Sequence, residues 1–165
     1  MNVVDLYKYL RVVDVADAMD GMGYFDIGLV DPEVRPLWLG MKFWGPAVTL
    51  RCVPSNRPMW KLDTTEEIVR DHAAWYGKYP NPVHLRDMIT DGCVLVTDTG
   101  DAKEGGYWGS NNSMGIIAAG AVGIVTDGEC RDTYEVRLQK TPVCCRRRGG
   151  PIIPGRIMEI EGNVT

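Results

Sequence analysis

Two runs of apolar residues in the second half of the chain have the pattern of buried parallel strands. The runs 93–96 and 122–125 are nearly continuous in apolar side chains, which is typical of strands covered by helices on both faces. Both runs end in the same tripeptide, Val-Thr-Asp. The two copies, 96–98 and 125–127, lie 29 positions apart. That spacing suits a right-handed βαβ unit of about 30 residues with a helix as crossover. The pattern therefore predicts an α/β fold with a central βαβ unit.

The first third of the chain has a helical pattern followed by a strand pattern. Apolar side chains recur at helical spacing through residues 12–23, and the stretch ends in Gly21 and Gly23. It therefore predicts an amphipathic helix with a glycine stop. Residues 47–53 are rich in apolar and β-branched side chains, which indicates a strand.

A further helix is predicted after residue 63. Thr64 and Glu67 have the spacing of a capping box, in which each side chain accepts a hydrogen bond from the other residue's backbone N–H. Ile68, His72 and Trp75 stand three and four positions apart, so they would share one face of this helix. On such a face we interpret His72 as a packed histidine rather than a metal ligand.

Composition and charge are those of an ordinary globular domain and exclude several classes of protein. The 165 residues are 45% hydrophobic and 24% charged, which supports one domain over 1–165. The 18 basic and 22 acidic residues give a net charge of −4, so no positive field would attract nucleic acid or an acidic membrane. The longest nearly apolar stretch, 114–125, is too short to cross a bilayer, and the N-terminus lacks a secretory pattern. We expect a cytoplasmic protein that binds neither nucleic acid nor membrane.

Charged side chains are predicted to gather where the parallel strands end. Ligands of open parallel sheets bind beyond the carboxyl ends of the strands, so the loops after the two apolar runs form the candidate site. Those loops carry four carboxylates and one guanidinium, namely Asp98, Asp101, Asp127, Asp132 and Arg131. The glycine-rich stretch 105–112 opens a predicted helix at the same edge, where free N–H groups and the positive helix end would suit an anion. The stretch matches neither the GxxxxGKS/T nor the GxGxxG phosphate-binding pattern.

The five cysteines give little support for a disulfide framework or a zinc site. Their number is odd, no CxxC pair is present, and only His72 and His84 accompany them. We expect reduced thiols that pack as small apolar side chains. Cys130 differs from the others because it directly precedes Arg131 and Asp132 in the candidate site.

One long segment, 108–132, resembles the RraA-like family. It ends in the run Asp-Gly-x-x-Arg-Asp within a glycine-rich context. Residues 15–23 and 45–51 are similar to the first helix and an early strand of that family, and residues 141–143 and 154–156 are similar to the part after its active loop. The family includes 4-hydroxy-4-methyl-2-oxoglutarate aldolases and regulators of ribonuclease E.

The resemblance implies a three-layer β/β/α fold of the swivelling-domain type, assembled as a homotrimer or hexamer with sites at subunit contacts. In aldolase members, the aspartate that matches Asp132 holds a divalent metal, usually Mg²⁺ with Mn²⁺ as an alternative, mostly through the metal's waters. The arginine that matches Arg131 contacts the bound pyruvyl group. The pyruvyl carboxylate is held by backbone amides of the loop that matches Gly109, Ser110, Asn111 and Asn112.

These residue types suit a lyase that releases pyruvate from a small 2-oxo or hydroxy dicarboxylate. Cleavage of the carbon–carbon bond next to a 2-oxo acid leaves an enolate, whose oxygen needs positive charge nearby. Arg131 and a metal would supply that charge, and Mg²⁺ often takes only one or two carboxylates. We predict a metal-dependent, class II aldolase-like activity, with oxaloacetate decarboxylation as a side reaction. The alternatives are a related hydratase or dehydratase, and a non-catalytic regulator that binds a ribonuclease or helicase.

Two features of the chain depart from the family pattern. Ser110 stands where aldolase members carry a carboxylate that orients a proton-shuttling water, and a serine hydroxyl is no base near neutral pH. Asp101 and Glu104 are near in sequence and could take that role. The chain also stops before the family's closing segment, so a final strand over roughly 156–161 would leave an edge that needs a cover. We expect a homotrimer or a separate complementing chain to bury the isoleucines Ile152, Ile153, Ile157 and Ile160.

Three consecutive arginines, Arg146, Arg147 and Arg148, precede a pair of glycines. Charge runs are usually solvated, so we interpret this one as a solvent-exposed loop. The alternative is contact with a substrate carboxylate or with the acidic surface of a partner.

Overall fold

The computed structural model describes residues 3–52, 63–78, 84–100, 105–150 and 157–160. Within these residues the α-helices are α1 (Val3–Leu6), α2 (Val12–Gly21), α3 (Thr65–Lys78), α4 (Ser110–Ala118) and α5 (Thr133–Leu138). A 3₁₀ helix covers His84–Met88. The strands are β1 (Arg35–Pro36), β2 (Ala47–Cys52), β3 (Val94–Asp98), β4 (Gly106–Trp108), β5 (Gly123–Cys130), β6 (Val143–Arg148) and β7 (Ile157–Ile160).

The described strands form one sheet in the order β1-β6-β5-β3-β2-β7, and β4 pairs with the end of β5. The four central strands, β6, β5, β3 and β2, run parallel to one another. Strands β1 and β7 pair antiparallel at the two ends of the sheet. The carboxyl ends of the central strands therefore meet at a single edge, which is where ligands of such sheets bind.

The pairing of β3 with β5 brings the repeated sequence into register. Val96 lies beside Val125, and Thr97 lies beside Thr126. Because β3 and β5 are parallel neighbours joined through α4, the predicted βαβ unit and the α/β fold class are confirmed. The connection also contains β4, a three-residue strand that the sequence pattern did not predict.

The hydrophobic core lies between the sheet and helices α4 and α5. Ile116 of α4 and Val136 of α5 are fully buried in the same cluster as Leu95 and Ile124 of the sheet. Trp108 is also buried, and its indole Nε1 donates a hydrogen bond of 3.0 Å to Thr97 Oγ1. A buried indole N–H without a partner would cost about 1–3 kcal/mol, so this bond fixes the orientation of Trp108 next to Gly109.

Residues from the N-terminal part cover the opposite face of the sheet. Gly123 lies on the face of β5 opposite to the core residue Ile124, because successive residues of a strand face opposite sides of the sheet. A methyl group on Gly123 would lie 2.5 Å from Cγ of Phe43. The Phe43 ring therefore packs directly on the backbone of β5. Beside it, Trp44 Nε1 donates a hydrogen bond of 2.9 Å to the backbone oxygen of Val4, which ties α1 to this face.

The elements predicted in the first half of the chain are confirmed where they are described. Helix α2 ends at Gly21, and β2 covers the predicted strand as far as Cys52. Both hydrogen bonds of the capping box are present, since the Glu67 N–H donates to Thr64 Oγ1 and the Thr64 N–H donates to Glu67 Oε2, each at 3.2 Å. The side chains of His72 and Trp75 lie outside the described residues, so their shared face stays a prediction.

The interpretation of the three arginines as a solvated loop was wrong for their backbone conformation and for the Arg146 side chain, whereas Arg147 and Arg148 are exposed as expected. Arg146, Arg147 and Arg148 end strand β6, and the Arg146 side chain is only 11% exposed. Its guanidinium forms ion pairs with Asp31 and with Glu33, the latter at 2.7 Å. Because β6 is a strand of the sheet, Arg146 lies next to Asp31 and Glu33, which are more than 100 positions earlier in the sequence. The local run of charges gives no sign of such a distant contact.

The described residues bear on three further expectations, about the final strand, membrane spans and the cysteines. Strand β7 falls within the predicted final strand, while the predicted burial of Ile152, Ile153, Ile157 and Ile160 lies outside what the structure describes. In the part of the chain that is described, no helix has the length and apolar character needed to cross a membrane. All five cysteines are free thiols, as expected.

Candidate functional site

Arg131 and Asp132 form the turn that directly follows β5 at the carboxyl edge of the sheet. The Arg131 N–H donates a hydrogen bond of 2.8 Å to the backbone oxygen of Trp108, which joins this turn to the end of β4. Asp132 has a left-handed backbone conformation, with φ of 50° and ψ of 37°, and precedes the first residue of α5. Aspartate tolerates this conformation better than most residues. The turn therefore directs two adjacent charged side chains toward β4 and α4.

The Asp132 carboxylate caps the N-terminus of α4 from another part of the chain. Its Oδ2 accepts a hydrogen bond from the Ser110 N–H at 3.2 Å and another from Ser110 Oγ at 3.3 Å. The cap residue of α4, Gly109, has no side chain that could do this. Asp132 thus places negative charge at the positive end of the helix, which is the favourable arrangement.

Position 109 requires glycine because the side chains of Arg131 and Asp132 pack directly against its backbone. A methyl group on Gly109 would lie 2.5 Å from Asp132 Oδ2 and 2.8 Å from Arg131 Cγ. Its φ of −142° is ordinary extended backbone, so the restriction is one of space and not of conformation. Any side chain here would push Asp132 and Arg131 away from the start of α4.

Arg131 and Asp132 also contact each other. Arg131 Nε lies 3.3 Å from Asp132 Oδ1, and the two side chains are 40% and 34% exposed. An ion pair that is this accessible contributes only about 0–1 kcal/mol to stability. The terminal nitrogens of Arg131 have no partner among the residues that the structure describes, so they are available to an anionic ligand.

The predicted binding residues at the start of α4 lie beside this pair. Ser110, Asn111 and Asn112 form the first turn of the helix, and the first intrahelical bond runs from the Ser113 N–H to the Gly109 oxygen at 3.0 Å. The N–H groups before Ser113 are therefore not used by the helix itself. The structure brings together all the predicted site residues: Gly109, Ser110, Asn111, Asn112, Arg131 and Asp132.

The other carboxylates predicted at this edge have structural partners or lie outside the described residues. Asp98 Oδ1 accepts a hydrogen bond of 2.7 Å from the Gly100 N–H, and Asp127 Oδ1 accepts one of 2.8 Å from the Thr99 N–H. Both thereby hold the loop after β3. Asp101 and Glu104, named as substitutes for the missing carboxylate at Ser110, are outside the described residues.

The cysteine next to the site is no nucleophile. Cys130 is fully buried at the end of β5, and its pKa is raised by its hydrogen bond with Cys145 and by burial. The pKa of Cys144 is raised to about 11, chiefly by burial. Because only a thiolate attacks readily, Cys130 stays an unreactive thiol at neutral pH.

Sequence reasoning missed Glu129, which follows the Asp127-Gly128 pair. A methyl group on Gly150 would collide with Glu129 Oε2 and would lie 2.9 Å from the Gly106 N atom. A methyl group on Gly106 would lie 3.2 Å from Arg131 Cδ. Glu129 and Arg131 therefore adjoin the same pair of glycines. Their spacing of two positions was a signal, since Arg131 directly follows β5 and residues two positions apart share one face of a regular strand.

Asp132 alone could bind a divalent cation that keeps most of its waters, but it could not form a metal site closed by several protein ligands. Its side chain is 34% exposed, so the carboxylate can be reached from the solvent. No group of three or more histidine, cysteine or acidic residues suited to a metal occurs in the described part of the chain. Mg²⁺ retains several waters and commonly binds through one or two carboxylates, so the residues present fit that ion.

Fold and site together define an α/β protein with a candidate anion-binding site at the carboxyl edge of its parallel strands. The model of the RraA-like family, described as Aldolase/RraA, matches residues 12–156. The chain belongs to the RraA-like family, because this match covers most of its length.

The chain is also similar to individual proteins and solved structures. The chain is 26% identical over 132 residues to Protein DlpA of Legionella pneumophila, a match that covers 80% of this chain and 18% of DlpA. An uncharacterized protein from Pseudomonas syringae pv. tomato has a TM-score of 0.69 at 21% identity, over 96% of this chain and 62% of that one. Streptomyces coelicolor RraAS2, an unusual member of the RNase ES inhibitor RraA family, has a TM-score of 0.65 at 20% identity, over 96% and 68%. These structural likenesses show the fold, and the chain spans less than two thirds of the first two proteins.

Proposed function

We propose that the protein is a metal-dependent lyase of the pyruvate aldolase type. Its substrate is a small 2-oxo or hydroxy dicarboxylate, and oxaloacetate decarboxylation is a side activity. The observation that carries this proposal is the contact of Arg131 and Asp132 with each other and with the start of α4. The site thus combines a cation whose terminal nitrogens have no partner among the described residues, a carboxylate suited to a hydrated metal, and backbone N–H groups that the helix itself does not use.

Each part of the site has a role in the reaction. The N–H groups at the start of α4 bind the substrate carboxylate that lies next to the 2-oxo group. The Arg131 guanidinium faces the 2-oxo oxygen, which becomes negative as the carbon–carbon bond breaks. Asp132 holds the metal, Mg²⁺ or Mn²⁺, and this ion when bound supplies further positive charge next to that oxygen.

The family covers both aldolase-type lyases and regulators of ribonuclease E, so membership alone does not choose between them. The presence of Arg131 beside Asp132 at the helix start favours chemistry, because capping of α4 uses only Asp132 and leaves the terminal nitrogens of Arg131 for a ligand. A hydratase or dehydratase of a small acid would use the same residues through a similar enolate. We propose that the protein acts in the cytoplasm as a homotrimer or hexamer, or together with a complementing chain.

Pyruvate release tests the proposal. Purified protein is incubated with a panel of 4-hydroxy-2-oxo acids and oxaloacetate in the presence of Mg²⁺, Mn²⁺ or a chelator, and pyruvate is measured with lactate dehydrogenase. We expect metal-dependent release from at least one acid above the rate with metal alone. The Arg131→Ala and Arg131→Lys variants should release pyruvate about 10²-fold more slowly, as is typical when one oxyanion donor is lost.

The matched control is Arg137→Lys, which changes an exposed arginine of the neighbouring helix α5. It should release pyruvate at the wild-type rate. No release from any acid with either metal would contradict the lyase and favour the non-catalytic regulator. Conversion of a hydroxy acid without pyruvate would favour the hydratase or dehydratase.

A further inference from the structure

The direction of the Arg131 guanidinium decides whether it can face the oxygen that becomes negative in the proposed reaction. A solvent-accessible ion pair such as the one with Asp132 holds a long side chain only loosely. A free arginine side chain samples many rotamers, and fixing it costs conformational entropy. A guanidinium that is oriented before the substrate binds therefore needs contacts along the aliphatic part of its side chain.

The aliphatic part of Arg131 lies directly against the backbone of β4 and of the residue that follows β4. A methyl group on Gly106, the first residue of β4, would lie 3.1 Å from Arg131 Cβ and 3.2 Å from Arg131 Cδ. A methyl group on Gly109 would lie 2.8 Å from Arg131 Cγ. Non-bonded carbon atoms prefer a separation of about 3.5–4.0 Å, so only glycine lets Arg131 lie this close at both positions. We call Gly106 and Gly109 the glycine seat of Arg131.

The glycine seat restricts the Arg131 side chain along its aliphatic part. Its contacts reach Cβ, Cγ and Cδ, so they restrict the torsions that place Cγ and Cδ. The Arg131 N–H donates a hydrogen bond of 2.8 Å to the Trp108 oxygen, and Nε lies 3.3 Å from Asp132 Oδ1. Backbone and side chain of Arg131 are thus both tied to the same short segment. The terminal nitrogens, which have no partner among the described residues, extend beyond these contacts.

The backbone on the other side of Gly106 leaves no alternative space for a side chain. A methyl group on Gly106 would also lie 2.9 Å from the backbone oxygen of Gly150. Gly150 has φ of +88°, a conformation that favours glycine, and the N–H of Gly149 donates a hydrogen bond of 2.8 Å to the Cys130 oxygen. Because this neighbour is hydrogen-bonded backbone, the flexible Arg131 side chain is the part that must move when position 106 gains a side chain.

We propose that Gly106 is a positioning residue for the reaction, an inference that rests on the proposed lyase function. Its bare backbone holds the aliphatic part of Arg131 and thereby directs the guanidinium toward the oxygen that becomes negative. Gly106 pairs with Glu129 in the sheet and lies four positions before Ser110, so it is not one of the N–H groups proposed for the substrate carboxylate. Its effect on the reaction therefore passes through Arg131.

A double-mutant cycle tests this dependence on Arg131. The proteins compared are wild type, Gly106→Ala, Arg131→Ala and the variant with both changes. The control is Gly21→Ala, where a methyl group would meet no atom within 4 Å. For each protein kcat and KM are measured for pyruvate release with Mg²⁺, the Kd of oxalate is measured by calorimetry, and the thermal midpoint reports the fold.

We expect Gly106→Ala to lower kcat about tenfold or more and to change KM by less than about threefold, because a misdirected oxyanion donor affects the transition state most. Arg131→Ala should lower kcat about 10²-fold. The double variant should be no more than about twofold slower than Arg131→Ala, since no guanidinium is left to position. Oxalate resembles the enolate, so its affinity should follow the same non-additive pattern. Gly21→Ala should equal wild type.

Crystal structures of the wild-type protein with and without oxalate and Mg²⁺ provide a test that needs no variant to fold. We expect the Arg131 side chain to keep its contacts with Gly106 and Gly109 in both structures, because the seat orients it before a ligand binds. An Arg131 side chain that leaves Gly106 when oxalate binds would overturn the proposal.

The kinetic outcomes separate this proposal from the lyase function. Wild-type kcat in Gly106→Ala, or losses of Gly106→Ala and Arg131→Ala that add in the double variant, would overturn the role of Gly106 and leave the lyase in place. Wild type that binds oxalate but releases no pyruvate would overturn the lyase, while the oxalate cycle and the crystal structures would still decide whether Gly106 positions Arg131. Wild type that does neither would overturn both.

Discussion

Asp132 Oδ2 accepts hydrogen bonds from both the N–H and the hydroxyl of Ser110, at 3.2 and 3.3 Å, so a carboxylate that precedes α5 caps helix α4. This relationship joins the two loops at the carboxyl edge of the sheet. It also means that a ligand carboxylate at the start of α4 has Asp132 as its neighbour and competitor. A cation held by Asp132 would relieve that repulsion, which gives a physical reason for metal and anion to bind together.

Substitution of Asp132 should separate its structural role from its chemical one. Asparagine keeps an acceptor oxygen and tolerates the left-handed backbone, so Asp132→Asn should fold with nearly wild-type stability but lose metal-dependent pyruvate release. Alanine removes the cap as well, so Asp132→Ala should also lower the free energy of unfolding by about 0.5–2 kcal/mol. Urea denaturation and the pyruvate assay measure the two effects, and wild-type release by Asp132→Asn would argue against Asp132 as the metal ligand.

A side chain at Gly109 should block anion binding. Since a methyl group there would lie 2.5 Å from Asp132 Oδ2, Gly109→Ala should weaken oxalate binding at least about tenfold, and Gly109→Val should abolish it. The matched control is Gly21→Ala at the end of α2, where a methyl group would meet no atom within 4 Å. Calorimetry with oxalate decides the point: unchanged affinity in a folded Gly109→Val protein would place the anion elsewhere.

The buried bond between Trp108 and Thr97 should contribute to stability. Thr97→Val keeps the side-chain shape but leaves the indole N–H of Trp108 without its partner, so the free energy of unfolding should fall by about 1–3 kcal/mol. Thr90→Val, at an exposed position before β3, should change it by less than about 0.5 kcal/mol. Equal urea midpoints for wild type and Thr97→Val would show that the bond adds nothing.

The N-terminal segment should take part in assembly. Helix α2 has no buried residue, and Val12 and Val13 are 83% and 53% exposed. Leu29 and Leu39 add further exposed apolar surface at 72% and 91%. Burial of one such side chain contributes about 1.5–3 kcal/mol, enough to favour subunit contact.

Light scattering at micromolar concentration should therefore give a mass about three or six times the 18.3 kDa of the chain, or that of a complex with a second chain. Val13→Glu should lower that mass, whereas Glu66→Lys on the exposed first turn of α3 should leave it unchanged. A stable monomer of the wild-type protein would contradict this prediction.

Much of the architecture follows from local patterns. Two apolar runs separated by 29 positions predict neighbouring parallel strands, because continuous burial and the length of one crossover leave few other arrangements. The capping box of Thr64 and Glu67 depends only on spacing within one helical turn, and both of its hydrogen bonds are present.

The sequence by itself determined the α/β fold class and the edge of the sheet at which Arg131, Asp132 and the start of α4 lie, since periodicity and strand order depend on short-range steric and hydrophobic effects. Only the tertiary structure decided which side chains meet. Asp132 reaches Ser110 across 22 positions, and Arg146 reaches Glu33 across 113. The place of Glu129 depends on a shift of register between Thr126 and Glu129 and on the turn at Gly150. Such contacts arise from the packing of distant elements, where one change of register redirects every side chain that follows.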